Sequence, residues 1–111
     1  MEQERRRTPR YPFTAHAEVL EAQGKTPIKC RVSELSLNGC FVIAPTTLEK
    51  GTPVAVKINT ENDFFEAHGS VAYIQPDEGM GLMFLETKPY FLNVLKKWVL
   101  AAMLGKGRPS V

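Results

Sequence analysis

From residue 14 to residue 85 no stretch is helical enough, over enough residues, to carry the chain from one strand to a parallel neighbour. Such a crossover takes about a dozen residues or more, normally as a helix. Six short segments follow one another instead, with turn residues between them. That pattern predicts an antiparallel barrel or sandwich. TAHAEVLEA (14–22) alternates small or apolar residues with polar ones and includes Val19 and Leu20. QGKTP (23–27) supplies turn chemistry through Gly24 and Pro27. IKCRVSEL (28–35) sets Ile28, Cys30 and Val32 on one face and Lys29, Arg31 and Ser33 on the other. GCFVIA (39–44), nearly all apolar and bounded by Asn38-Gly39 and Pro45, reads as a buried strand. TPVAVKIN (52–59), FFEAHGSVAYI (64–74) and MGLMFL (80–85) complete the set. Gly69, in the middle of the fifth, predicts a bulge or sharp bend of the kind small barrels need at corners.

After Thr87 the period changes. Apolar residues at 91, 92, 94, 95, 98, 99, 102 and 103 have helical spacing. Thr87 reads as the N-cap, Pro89 fits the first turn, and Gly105 is a natural stop. Phe91, Leu95, Trp98 and Ala102 form one stripe. The stripe would seal the chain's own barrel or that of a twin, so a homodimer stays open. A chain of 111 residues supports one domain with one core. The expected organisation is a flexible arginine-rich arm (1–13), a barrel with its helix (14–104, helix 88–104), and a flexible tail (105–111).

Charge is placed unevenly. Residues 1–10 hold four arginines against two glutamates, and the remaining basic and acidic groups balance at ten each. An excess confined to the leading segment argues for a local anion site. A basic face tracking nucleic acid is disfavoured, although Tyr11 and Phe13 follow the arginines. No apolar run approaches the ~20 residues of a membrane span, and the charged N-terminus lacks a signal-peptide core. Cys30 and Cys40 lack metal spacing and read as free buried thiols in a reducing cytoplasm, with a disulfide open if their strands pair. Catalysis has no support. His16 and His68 sit at alternating strand positions, and no Ser–His–Asp order, paired acids or phosphate-binding glycine loop appears. GMGLMF has two glycines but not the dinucleotide spacing. We expect neither an enzyme nor a metal site.

Two segments remain. Pro9 fixes its own φ and pushes Thr8 towards extended backbone. In an extended segment side chains four apart point the same way, so Arg6 and Arg10 could reach one ligand from a single side. Guanidinium suits phosphate, suits the O6/N7 edge of guanine, and stacks on flat rings. In ELSLNGCF (34–41), Ser36 and Gly39 fall on a turn between strands. The hydroxyl and backbone N–H groups there can meet a phosphate or base edge, and Gly39 permits close approach or positive φ.

RRRTPR, followed by SELSLNG and closed by GMGLMFL, resembles the PilZ domain family, bacterial receptors for the second messenger cyclic di-GMP. The resemblance covers nearly the whole chain. Arg6 and Arg10 match the family's R-x-x-x-R motif. Ser36 and Gly39 match its (D/N)-x-S-x-x-G motif, with Glu34 where the family prefers Asp or Asn. The resemblance implies a mostly β fold, a six-stranded antiparallel barrel with a C-terminal helix. It also implies that the nucleotide lies across the barrel face near the 34–39 turn. Arg6 and Arg10 would clamp its guanines and phosphates. Glu34 would accept from guanine on a stem one methylene longer. Arg5, just before the motif, implies an intercalated dimer of the ligand. No resident cofactor is implied. Ordering of the arm would change the surface shown to an effector protein, with motility, exopolysaccharide synthesis in biofilms or gene regulation as output. The alternative is an interaction module of the same fold that no longer binds the nucleotide.

Overall fold

Alternation decides which side of each strand is sealed from water, and the sealed sides meet. The computed structural model describes residues 9–105. It contains β1 (Tyr11–Glu21), β2 (Ile28–Leu35), β3 (Gly39–Ile43), β4 (Pro53–Asn59), β5 (Phe64–Gln75), β6 (Gly79–Glu86) and α1 (Pro89–Met103). Phe13, Ala15, Ala17 and Val19 of β1 point inward, as do Val54, Val56 and Ile58 of β4, while the residues between them face out. Every strand pairs antiparallel with its neighbours, and β4 returns to β1, closing a barrel in the order β1-β2-β3-β6-β5-β4. This is the six-stranded antiparallel barrel with one C-terminal helix that the motifs imply.

β1 begins at Tyr11, not at residue 14. Tyr11 and Pro12 pair with Leu35 and Glu34 of β2, and Phe13 is buried. Pro12 lies at the start of the strand, where a missing N–H is tolerated. Residues 11–13 therefore belong to the barrel and not to the arm. The rest of the arm through Thr8, and the tail from residue 106, lie outside the described residues. The bulge expected at Gly69 is present as a register shift between His68 and Gly69 against β6.

α1 packs on β5 and β1 of its own barrel, so the stripe seals this chain and not a twin. Val94, Leu95, Trp98, Val99 and Ala102 are buried, and Phe91 is partly so. Trp98 sits between Phe13 and Phe65, at 5.3 and 6.3 Å between ring centroids. Phe65 also meets Phe84 at 5.0 Å and Phe91 at 6.3 Å. The N-cap is Lys88 instead of Thr87, with Pro89 opening the helix and no side-chain cap. Aromatic burial on the barrel fixes where the helix starts, and local capping chemistry does not. Among the described residues no helix is long and apolar enough to cross a membrane. Trp98→Ala is expected to cost about 3–5 kcal/mol, lowering the melting temperature by more than about 10 °C in a thermal melt.

Cys30 and Cys40 are both free thiols. Cys40 is fully sealed, and burial drives its thiol well above the usual range. Burial, then the nearby Glu18 carboxylate, pushes the Cys30 thiol up to about 11. A thiol pKa raised on folding means that the unfolded chain loses protons first, so stability falls as pH rises above about 9. In the native protein Cys30 should react with a disulfide reagent far more slowly at pH 8 than an exposed thiol, gaining rate up to about pH 11. Cys40 should react only in denaturant.

Candidate functional site

The turn between β2 and β3 is held by one hydroxyl. Ser36 Oγ accepts from the backbone N–H groups of Asn38 and Gly39, each at 3.1 Å, and donates to the Gly39 carbonyl at 3.3 Å. The Ser36 N–H donates to the same carbonyl at 2.9 Å, and the Asn38 carbonyl accepts from Phe84 of β6 at 2.8 Å. Ser36 is the one buried polar or charged residue of the described chain. Gly39 is required for a different reason: a Cβ there would lie 2.0 Å from the Leu82 carbonyl oxygen. It serves close approach between strands, not positive φ. In this structure Ser36 and Gly39 build the turn, and the serine hydroxyl is engaged within it.

Next to the turn a row of residues runs across the outer sheet face. Pro12 of β1 opposes Glu34 of β2, Glu34 opposes Phe41 of β3, and Phe41 opposes Gly81 of β6, which opposes Tyr73 of β5. Gly81 leaves the space that the Tyr73 ring fills, since a Cβ would lie 2.2 Å from Tyr73 Cε1. The ring therefore reaches Phe41, stacking at 6.1 Å and 25°. Phe41 is buried under that ring and stands apart from the barrel core.

Arg10 lies across this row. Its Nη1–H donates to Tyr73 Oη, and its guanidinium carbon is 5.7 Å from the ring centroid. Its Nε is 3.4 Å from Glu34 Oε1. That Nε is sealed from solvent and lacks an aligned hydrogen bond, so the Glu34 contact is an ion pair only. The Arg10 side chain is 15% exposed and that of Glu34 is 47%, so water screens the pair and its worth stays under about 1 kcal/mol. Arg10, Glu34, Ser36 and Gly39 are thus gathered at one corner of the barrel. Arg5 and Arg6 lie outside the described residues.

The sequence reading missed Phe41, Gly81 and Tyr73. Strict alternation from the buried Val71 would send Tyr73 inward, but the register shifts between them and turns the ring out. A similar shift between Val32 and Glu34 brings the carboxylate outside. The one available signal was a glycine on β6 facing an aromatic on β5, which needs the register to be known. His16 and His68 are exposed strand residues, and among the described residues no group of three His, Cys, Asp or Glu side chains could hold a metal ion.

The arrangement offers a cation over an aromatic plane, with a carboxylate acceptor beside it. Such a set suits a flat, hydrogen-bonding ring that carries negative charge. A family model described as the PilZ domain matches residues 4–101. The chain belongs to the PilZ domain family. Solved structures share the fold. The PilZ domain with c-di-GMP of YcgR from Escherichia coli has a TM-score of 0.74 at 18% identity, over 92% of this chain and 94% of that one. The Bacillus subtilis inhibitor of motility, MotI/DgrA, has 0.72 at 17% identity, over 93% of this chain and 53% of that one. The PilZ domain of CeSA from a cellulose-synthesizing bacterium has 0.65 at 19% identity, over 84% of this chain and 96% of that one. No curated protein sequence matches significantly.

The hydrogen bonds of Ser36 give this PilZ domain a measurable signature. Ser36→Ala removes the acceptor of the buried Gly39 N–H and of the part-buried Asn38 N–H, and should lower unfolding free energy by about 1–3 kcal/mol in urea with no nucleotide added. Unchanged stability would show that the hydroxyl does not hold the turn.

Proposed function

We propose that this PilZ domain is a receptor for cyclic di-GMP and that the nucleotide lies on the outer sheet face beside the 36–38 turn. The observation that carries the reading is Arg10 spanning from Glu34 to Tyr73. The guanidinium can bind a phosphate oxygen pair or the O6/N7 edge of guanine. The Tyr73–Phe41 pair offers a plane on which a purine can stack. Glu34 can accept from guanine N1–H and N2–H. Ser36 and Gly39 act by holding the turn in shape. Arg6, four residues before Arg10, completes the phosphate clamp by its motif position, and Arg5 favours an intercalated pair of nucleotides. The YcgR PilZ domain, named as solved with c-di-GMP, supports the ligand class. The MotI relative, named as an inhibitor of motility, supports control of motility as one output. The domain catalyses nothing in this reading. It presents a changed surface to an effector protein.

One observation favours a second reading, an interaction module indifferent to the nucleotide. Glu34 already neutralises Arg10 with the protein's own carboxylate.

Isothermal titration with cyclic di-GMP separates the two. Saturable binding is expected, and Arg10→Ala and Tyr73→Ala should each weaken it at least about tenfold. Glu34→Ala weakens binding where the carboxylate receives guanine, and tightens it where the carboxylate only occupies Arg10. No heat from the unaltered protein at high micromolar nucleotide would sink the receptor reading and leave the module.

A further inference from the structure

The charge that cancels over residues 11–111 is sorted along the chain. Residues 11–86 carry ten acidic and five basic groups, and residues 87–111 carry five basic groups and no acid. Of those five basic groups Lys88 is the N-cap, Lys106 and Arg108 lie outside the described residues, and Lys96 and Lys97 stand on α1 itself. Its buried side is spent on the barrel, and its other side exposes Tyr90 (61%), Leu100 (54%), Met103 (52%) and Leu104 (60%). Single exposed aliphatic groups are ordinary, but these three fall at i, i+3 and i+4, so they form one ridge. At 3.6 residues per turn Leu100 lies near the middle of the exposed arc. Lys96 and Lys97 flank it one turn earlier, and both are exposed. Lys97 lies 3.6 Å from Asp63 Oδ2 but is itself 71% exposed, so the pair leaves its ammonium accessible.

We propose that this ridge of α1 is a docking surface for a membrane bearing anionic phospholipid headgroups. The helix lies flat on the surface, with Leu100, Met103 and Leu104 entering the acyl boundary. Lys96 and Lys97 reach sideways to the phosphates, their stems covering apolar surface. Tyr90, amphipathic and near the other end of the helix, suits the headgroup layer. The acidic excess of residues 11–86 is repelled by the same surface, which favours α1 over the rest of the barrel as the side that docks. A second copy fits the ridge poorly, because it would press two pairs of lysines together. A protein partner would have to match a convex ridge with a socket and also line the socket with carboxylates. An anionic bilayer supplies both features without any match of shape.

Co-flotation of the full chain with vesicles tests the proposal. Binding is expected to vesicles of equal phosphatidylglycerol and phosphatidylcholine at low salt, and not to phosphatidylcholine alone. It should fall several-fold when salt is raised from about 50 to about 300 mM. Replacing Leu100, Met103 and Leu104 together by serine should cost more than about tenfold in partitioning. Lys96→Gln and Lys97→Gln should each cost about fivefold. These side chains are exposed, and an unchanged melt and far-UV spectrum would verify that the variants fold. The proposal is overturned by no flotation, by equal binding to uncharged vesicles, or by a triple variant that binds as before. Full loss on Lys106→Ala with Arg108→Ala, together with an inert ridge, also overturns it. So does a dimer in analytical ultracentrifugation that the triple variant abolishes, which would give the ridge to a second copy.

Discussion

Six short strands can close on themselves only if several of them curl, and curling breaks the simple alternation of sides. In this chain the breaks fall between Pro12 and Ala15, between Val32 and Glu34, between His68 and Gly69, and between Val71 and Tyr73. Each shift increases local twist and leaves one residue without its ideal partner. Two of them place the groups that make the outer corner chemically distinctive. Without the shift after Val32, Glu34 would share the inward side with Val32. Without the shift after Val71, Tyr73 would point into a core already filled by Phe65 and Leu82. Barrel closure and the candidate site therefore rest on the same irregularities, and removing them would damage both.

The corner also shows how a mostly buried charged side chain can be held by partners that themselves stay in contact with water. Arg10 is covered mainly by packing against Tyr73 and by its contact with Glu34, both of which keep a face to solvent. An exposed arginine would surrender rotamer freedom when it met an anion, a cost that reaches about 2 kcal/mol for long side chains. Here the protein's own hydroxyl and ring already restrict the side chain. The remaining question for any anion is exchange with Glu34, and that exchange depends on how much of the Glu34 carboxylate water already screens. With nearly half of that side chain exposed, the resident pair is weak enough to yield.

Most of the fold was readable because it depends on period and punctuation. Five of the six strands were located to within a residue, and the helix likewise, since Val54, Val56 and Ile58 or Leu95, Trp98 and Ala102 must lie on one side whatever surrounds them. The start of β1 was not readable. Arginines and prolines signal an arm locally, whereas Tyr11 and Pro12 become strand because β2 offers them partners. The N-cap was misplaced for the same kind of reason, with packing of Trp98 and Phe91 overriding the preference of Thr87. At the site, Arg10, Glu34, Ser36 and Gly39 came from motif spacing. Phe41, Gly81 and Tyr73 could not, because they meet only through register shifts that spacing does not encode. The task of Ser36 was also hidden: spacing marks a hydroxyl on a turn, but only the hydrogen bonds show it facing inward.

Summed charge conceals a further feature in the same way. A total near zero for residues 11–111 suggests a neutral body, yet an acidic stretch over 11–86 and a basic one over 87–111 produce a field that a neutral body lacks. The two surfaces considered above use separate residues. Arg10, Glu34 and Tyr73 stand on the outer sheet face, and Leu100, Met103 and Leu104 stand on the solvent side of α1. One link is Phe13, which continues the strand that follows Arg10 and packs at 5.3 Å on Trp98, on the opposite side of the helix from Leu100. Anything that shifted the start of β1 would press on the helix through that aromatic contact. A rigid, close-packed core transmits such a displacement instead of absorbing it. Phe65 of β5, the strand that carries Tyr73, meets the same Trp98 and also Phe91, each at 6.3 Å, so both surfaces rest on one aromatic cluster.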